Sequence, residues 1–102
     1  MSKHYPEEVT ESLRLHVLRS LVEVGGTTND SILLTRAHKY AFESFGRDRF
    51  RAELRWMERN GLIEFKQIED SDCYRVELLD YGNDVCHGRE MLDGVQNPML
   101  RR

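Results

Sequence analysis

Arg47, Arg51, Arg55 and Arg59 recur every four residues, with Arg49 between the first two. In a helix turning about 100° per residue, such a row drifts only about 40° per step and forms one oblique stripe. Each guanidinium is a planar fork donating two parallel hydrogen bonds, a match for a phosphate or for the O6/N7 edge of guanine. Phe50, Leu54 and Met57 fall at i, i+4 and i+7, so the same helix has an apolar face to pack with. Arg47, Arg49 and Arg51, nearest the helix start, are expected to enter a groove, with Arg55 assisting. Arg55 and Arg59 lie further along and suit phosphates or protein. The competing reading is a solvated charged face, supported by the Arg55–Glu58 neighbours and by an Arg49–Glu53 pair at i, i+4.

Other chemistry finds little support. There is no glycine-rich phosphate loop, no nucleophile elbow and no carboxylate pair with evident spacing, so the chain is not expected to be an enzyme. Asp30 and Glu53 are isolated by sequence, and Asp30 reads most simply as part of a helix start. His4, His16, His38 and His87 have no metal-ligand spacing, and adjacent Cys86-His87 diverge by about 100° on a helix, so neither metal nor cofactor is expected. Two cysteines, Cys73 and Cys86, do not make a disulfide framework. No apolar run approaches the roughly 18 residues of a membrane span, and no leader pattern opens the chain. The expectation is a cytoplasmic protein.

At 102 residues, 39% hydrophobic and 32% charged, the chain has room for one core under a charged surface. Its net charge of −3 opposes a simple nucleic-acid reading, but the charge is segregated. Residues 47–59 hold five arginines against Asp48, Glu53 and Glu58, whereas Glu7, Glu8 and Glu11 crowd the start.

After a lead of residues 1–6, with Pro6 suited to a first turn, Val9, Leu13, Val17, Leu18, Leu21 and Val22 predict a helix over roughly 7–24, ended by Gly25-Gly26. Leu15 and Val24 widen its apolar stripe and hint at a subunit contact. Thr27-Thr28-Asn29-Asp30 offers N-caps for a second helix carrying Ile32, Leu33, Leu34, Ala37, Tyr40, Ala41 and Phe45 up to Gly46. Asp48 is the expected cap of the arginine helix, which Gly61 closes. Trp56 lies about 120° from the core direction, on the flank of this helix. The period then changes to two: Ile63, Phe65 and Gln67, then Tyr74, Val76 and Leu78, flank a polar turn and predict a hairpin. Asp80 caps a last helix over Tyr81–His87, before a looser tail from Arg89 to Arg102. The class is α+β, mostly α, in the order α-α-α-β-β-α. That is a winged helix-turn-helix over residues 7–88, with the 89–102 tail a candidate dimer contact.

The segments Leu13-Arg14-Leu15-His16-Val17-Leu18, Gly25-Gly26 and Thr28-Asn29-Asp30-Ser31-Ile32-Leu33-Leu34, and Arg47-Asp48 with Leu54, Trp56, Gly61 and Leu62, also carry a resemblance. They are similar to a family of small winged-helix proteins of Mu-like phages and prophages, often described loosely as ArsR-like. The similarity runs from about residue 8 to 95 and implies a fold and a phage context rather than a reaction, and the position of Trp56 in it implies packing against the hairpin or the first helix. Metal-sensing ArsR-type proteins use paired cysteines near the recognition helix. Cys73, in the hairpin, and Cys86, in the last helix, form no such pair.

The resulting expectation is a dimeric, DNA-binding transcriptional regulator with the third helix in the major groove of double-stranded DNA. Arg47, Arg49, Arg51, Arg55 and Arg59 would carry the contact, with Lys66 and Arg75 on the hairpin stems. Glu69, Asp70 and Asp72 at the hairpin tip oppose it, since phosphates repel carboxylates. The alternative is a protein–protein adaptor on the same scaffold, favoured by that acidic tip and by the apolar surplus at Leu15 and Trp56.

Overall fold

Glu7 and Glu8 complement the dipole of the first helix, and Pro6 sits where its missing N–H costs nothing. This helix is α1 (Tyr5–Glu23) in a computed structural model that describes residues 4–99. The sequence reading of the lead over 1–3 and of the tail over 100–102 lies outside the described residues. Leu13, Val17, Leu18 and Leu21 are fully buried. Leu15 is buried as well and so is covered within the chain, whereas Val24, read with it as a subunit contact, is half-buried. Gly25 and Gly26 end α1 at φ 93° and 101°, backbone that side chains other than glycine rarely adopt. The Gly26 N–H bonds back to Leu21 O at 2.7 Å, while its carbonyl accepts from Leu78 N at 2.7 Å.

That second bond introduces a strand the sequence reading missed. Thr27–Asn29 form β1, read above only as caps. Then follow α2 (Asp30–Tyr40), α3 (Arg47–Arg59), β2 (Ile63–Gln67), β3 (Tyr74–Leu78) and α4 (Asp80–Cys86). The chain is thus α+β and mostly helical, with four helices and one three-stranded antiparallel sheet of order β1-β3-β2. The expected order α-α-α-β-β-α needs β1 inserted after α1. Three polar residues have no period of their own and become a strand only by pairing with the free edge of β3, with Thr28 opposite Val76. On the other edge Phe65 opposes Val76 and Ile63 opposes Leu78, which puts Ile63, Phe65 and Val76 in the core.

Helix ends also depart from expectation. Asn29 caps α2, its Oδ1 accepting from Ile32 N at 2.9 Å. The helix stops at Tyr40 rather than Gly46, because Phe42 N bonds to Ala37 O and the chain turns inward. Phe42 and Phe45 are then both buried, meeting edge to face at 6.1 Å. His38 Nε2 donates to the Phe45 carbonyl at 2.6 Å and holds the turn. Gly46, not Asp48, is the N-cap of α3, and Leu79, not Asp80, that of α4. Beyond α4 the chain returns to α1: Val95 is buried, and Gln96 N donates to Glu11 O at 3.2 Å.

Candidate nucleic-acid interface

The apolar positions of α3 fix which way its charges point. Phe50, Leu54 and Met57 are fully buried, so at about 100° per residue Asp48, Ala52, Arg55 and Arg59 form the outward ridge. All four are exposed, as are Arg47 and Arg49 on the flanks. Arg47, Arg49 and Arg51, grouped in the sequence reading, do not share a face: Arg47 and Arg51 lie on one flank and Arg49 on the other.

Arg51 is committed inside the protein. Its Nε donates to Asp30 Oδ2 at 2.7 Å, its Nη2 to the Asp72 carbonyl, and its guanidinium lies over the Tyr74 ring at 4.7 Å. The hydrogen bond it donates to Asp30 comes first in holding this guanidinium's pKa above its ordinary value. Asp30 itself is 2% exposed, and its Oδ1 accepts the Tyr74 backbone N–H at 2.8 Å. One carboxylate therefore joins the start of α2, the middle of α3 and the first residue of β3. Arg47 approaches the same group, with Nη1 at 3.9 Å from Asp30 Oδ2 and at 3.3 Å from Ser31 Oγ.

The remaining candidates are held more loosely. Arg49 donates to Thr10 Oγ1 at 3.1 Å and lies over the Phe45 ring. Arg55 lies 5.6 Å from the Phe65 ring and 5.8 Å from Tyr74, two rings that stack on each other at 4.4 Å. Arg59 and Lys66 are exposed, and among the described residues neither forms an ion pair. Arg75 is flanked by Glu77 at 3.1 Å and Glu64 at 4.0 Å, so its charge is largely neutralised on the sheet. Glu69, Asp70 and Asp72 are exposed in the turn of the β2–β3 hairpin, where Asp70 takes φ 59°.

The expected Arg49–Glu53 pair is replaced by one from another helix. Glu53 Oε1 accepts from Arg14 Nε at 2.9 Å and Nη2 at 2.8 Å. The Arg14 guanidinium stacks 3.7 Å above Trp56, and its Nη1 donates to the Gly94 carbonyl at 2.8 Å. Trp56 thus packs against the first helix, one of its two expected partners, and against the returning tail. Sequence reasoning missed Asp30 as a hub and Arg14 as a clamp. The one local hint was Asp30 itself, an acid placed just after a cap.

Two proteins of known sequence are similar to this chain. They place the chain first in a Mu-like phage relationship. More particularly, it belongs to the family of an uncharacterized protein, gp26, of Escherichia phage Mu, with which it is 32% identical over 93 residues covering 91% of this chain and 94% of the relative. It is also 35% identical over 66 residues to an uncharacterized protein of Haemophilus influenzae strain Rd, covering 65% of this chain and 64% of that one. No family model matches the chain, and no solved structure matches it.

Proposed function

We propose that this protein is a winged-helix, DNA-binding transcriptional regulator of a Mu-like phage or prophage, with α3 as its recognition helix and the β2–β3 hairpin as its wing. The observation that carries the reading is the outward ridge of α3, where Arg55 and Arg59 line up with Asp48 and the small Ala52 while exposed Arg47 and Arg49 stand on the two flanks. A small residue lets a helix approach base edges closely, while the flanking forks reach guanine or phosphate. Arg51 holds α3 to α2 and the wing rather than touching DNA. Lys66 adds a phosphate contact; Arg75 adds little while its two glutamates neutralise it. The few contacts of one protomer are doubled in a homodimer, which suits an operator of two half-sites. Among the described residues no helix is long and apolar enough to cross a membrane.

The test is binding to a pool of random duplexes across a salt series, comparing the natural chain with an R47A/R55A/R59A variant. Each phosphate contact contributes about −0.9 to the slope of log K against log salt, so the variant should bind more weakly and with a shallower slope. Absence of binding by folded protein at low salt would remove the DNA reading. The acidic wing tip, with Ile68 39% exposed beside it, favours one second reading: a protein adaptor with no DNA affinity. Charge reversal at Glu69, Asp70 and Asp72 would then abolish partner binding, whereas under the DNA reading it would strengthen DNA binding.

A further inference from the structure

Thr10 and Arg14, through which α1 meets α3, lie roughly opposite Ser12, His16, Arg19 and Glu23 around the α1 axis. On that second side a cleft of about 730 Å³ opens between α1, the end of α2 and the returning tail. Its size falls within the roughly 300–1,000 Å³ of small-molecule sites. Three cations line it, Arg19, Arg36 and Lys39, against the single carboxylate of Glu23. Arg19 and Lys39 are exposed and, among the described residues, form no ion pair. Arg36 is bound to Glu23 through Nη2, yet its Nε is buried without an acceptor in the protein. An orphaned guanidinium N–H is costly to leave in place, and an oxyanion is its natural complement. The wall between the cations is aromatic: the His16 ring stacks on Tyr40 with centroids 4.8 Å apart. Burial first, and the Arg36 charge second, push the His16 pKa below its ordinary value, so this ring adds no charge at neutral pH.

We propose that this cleft is a binding site for a small phosphorylated compound, its phosphate held by Arg19, Arg36 and Lys39 and its organic part lying against the His16–Tyr40 pair. Three cations around one cleft raise the local concentration of anions there, and arginine forks suit a phosphate's geometry. The site shares no residue with the α3 ridge and does not depend on DNA binding.

The experiment is a titration of the ¹⁵N-labelled 102-residue protein with pyrophosphate, AMP and citrate at fixed ionic strength, read by amide chemical shifts. Pyrophosphate and AMP should give saturable shifts at residues 12–23, 36–40 and 96–98, with AMP the tighter because its base meets the stack. R19A/K39A changes two exposed side chains and should weaken both by about tenfold or more. E23Q removes the opposing carboxylate and should tighten both several-fold. Shifts that do not saturate, or identical affinities in the natural chain and both variants, would overturn the proposal. Tighter binding of citrate than of either phosphate compound would overturn the phosphate assignment.

Discussion

Replacing Asp30 by alanine tests the central mechanical claim, that one carboxylate locks α2, α3 and β3 together. The side chain is 2% exposed and accepts from Arg51 Nε at 2.7 Å and Tyr74 N at 2.8 Å. Breaking a buried ion pair from one side costs about 3–5 kcal/mol, since the other charge is stranded. Arg51 is 16% exposed and keeps the Asp72 carbonyl and the Tyr74 ring, so the low end applies, about 3 kcal/mol. Against a typical total of about 5–15 kcal/mol, the variant should remain folded but fall by roughly 12–24 °C in Tm. D30N keeps an acceptor for Tyr74 N–H but puts an NH2, which cannot accept, opposite Arg51 Nε, so it loses the charge and one hydrogen bond and should cost about 1.5–3 kcal/mol. In a double-mutant cycle, R51A alone strands the Asp30 carboxylate and should cost about as much as D30A. The double variant should then cost far less than the sum, giving a coupling of about 2–3 kcal/mol. Urea denaturation followed by circular dichroism measures all four. A coupling below about 0.5 kcal/mol would refute the reasoning and release Arg51 as a candidate DNA contact.

Two further outcomes are expected. G82A should cost more than about 3 kcal/mol or prevent folding, because a Cβ there would lie 2.1 Å from the Leu62 carbonyl oxygen, which is backbone and cannot yield; a Tm within a few degrees of the natural chain would contradict the close packing of α4 on the α3–β2 junction. His16 should make the fold acid-sensitive: with its folded pKa below the ordinary 6.5, the unfolded chain binds the extra proton, so stability falls as pH drops through 6.5 toward the folded value. Urea midpoints at several pH values should show that slope in the natural chain and less of it in H16Q, and equal slopes would assign the sensitivity to other groups.

What was legible in the sequence is what has a local period. Phe50, Leu54 and Met57 mark the buried face of α3, Gly25-Gly26 the end of α1, and alternation from Ile63 to Leu78 the hairpin. The same angular arithmetic put Trp56 on a flank, and only the resemblance implied that it packs there. β1 was invisible because its three polar residues acquire strand character only from the edge of β3. The end of α2 was missed because Phe45 continued a helical spacing, whereas Phe42, which carried no signal, is what turns the chain inward. Within the candidate site the arginine types were legible, but not their commitments. Asp30 lies 21 residues from Arg51 and 44 from Tyr74, and no local pattern announces a pairing at such separations. The cleft was equally hidden, since its cations come from two helices and close against the tail only in three dimensions.

The clamp of Arg14 on Gly94 sets the order in which the molecule can be completed. The two residues are 80 positions apart. At roughly 5–20 residues per second of synthesis, Arg14 and its neighbours on α1 wait about 4–16 seconds for the segment that covers them. During that interval α1 can coil and meet α2, but the Trp56 ring has no Gly94 to close over it and Val95 has not filled its place. The contacts of α1 with residues 94–96 therefore form only after α4 has been made, and a polypeptide halted within α4 presents an apolar flank to whatever lies nearby.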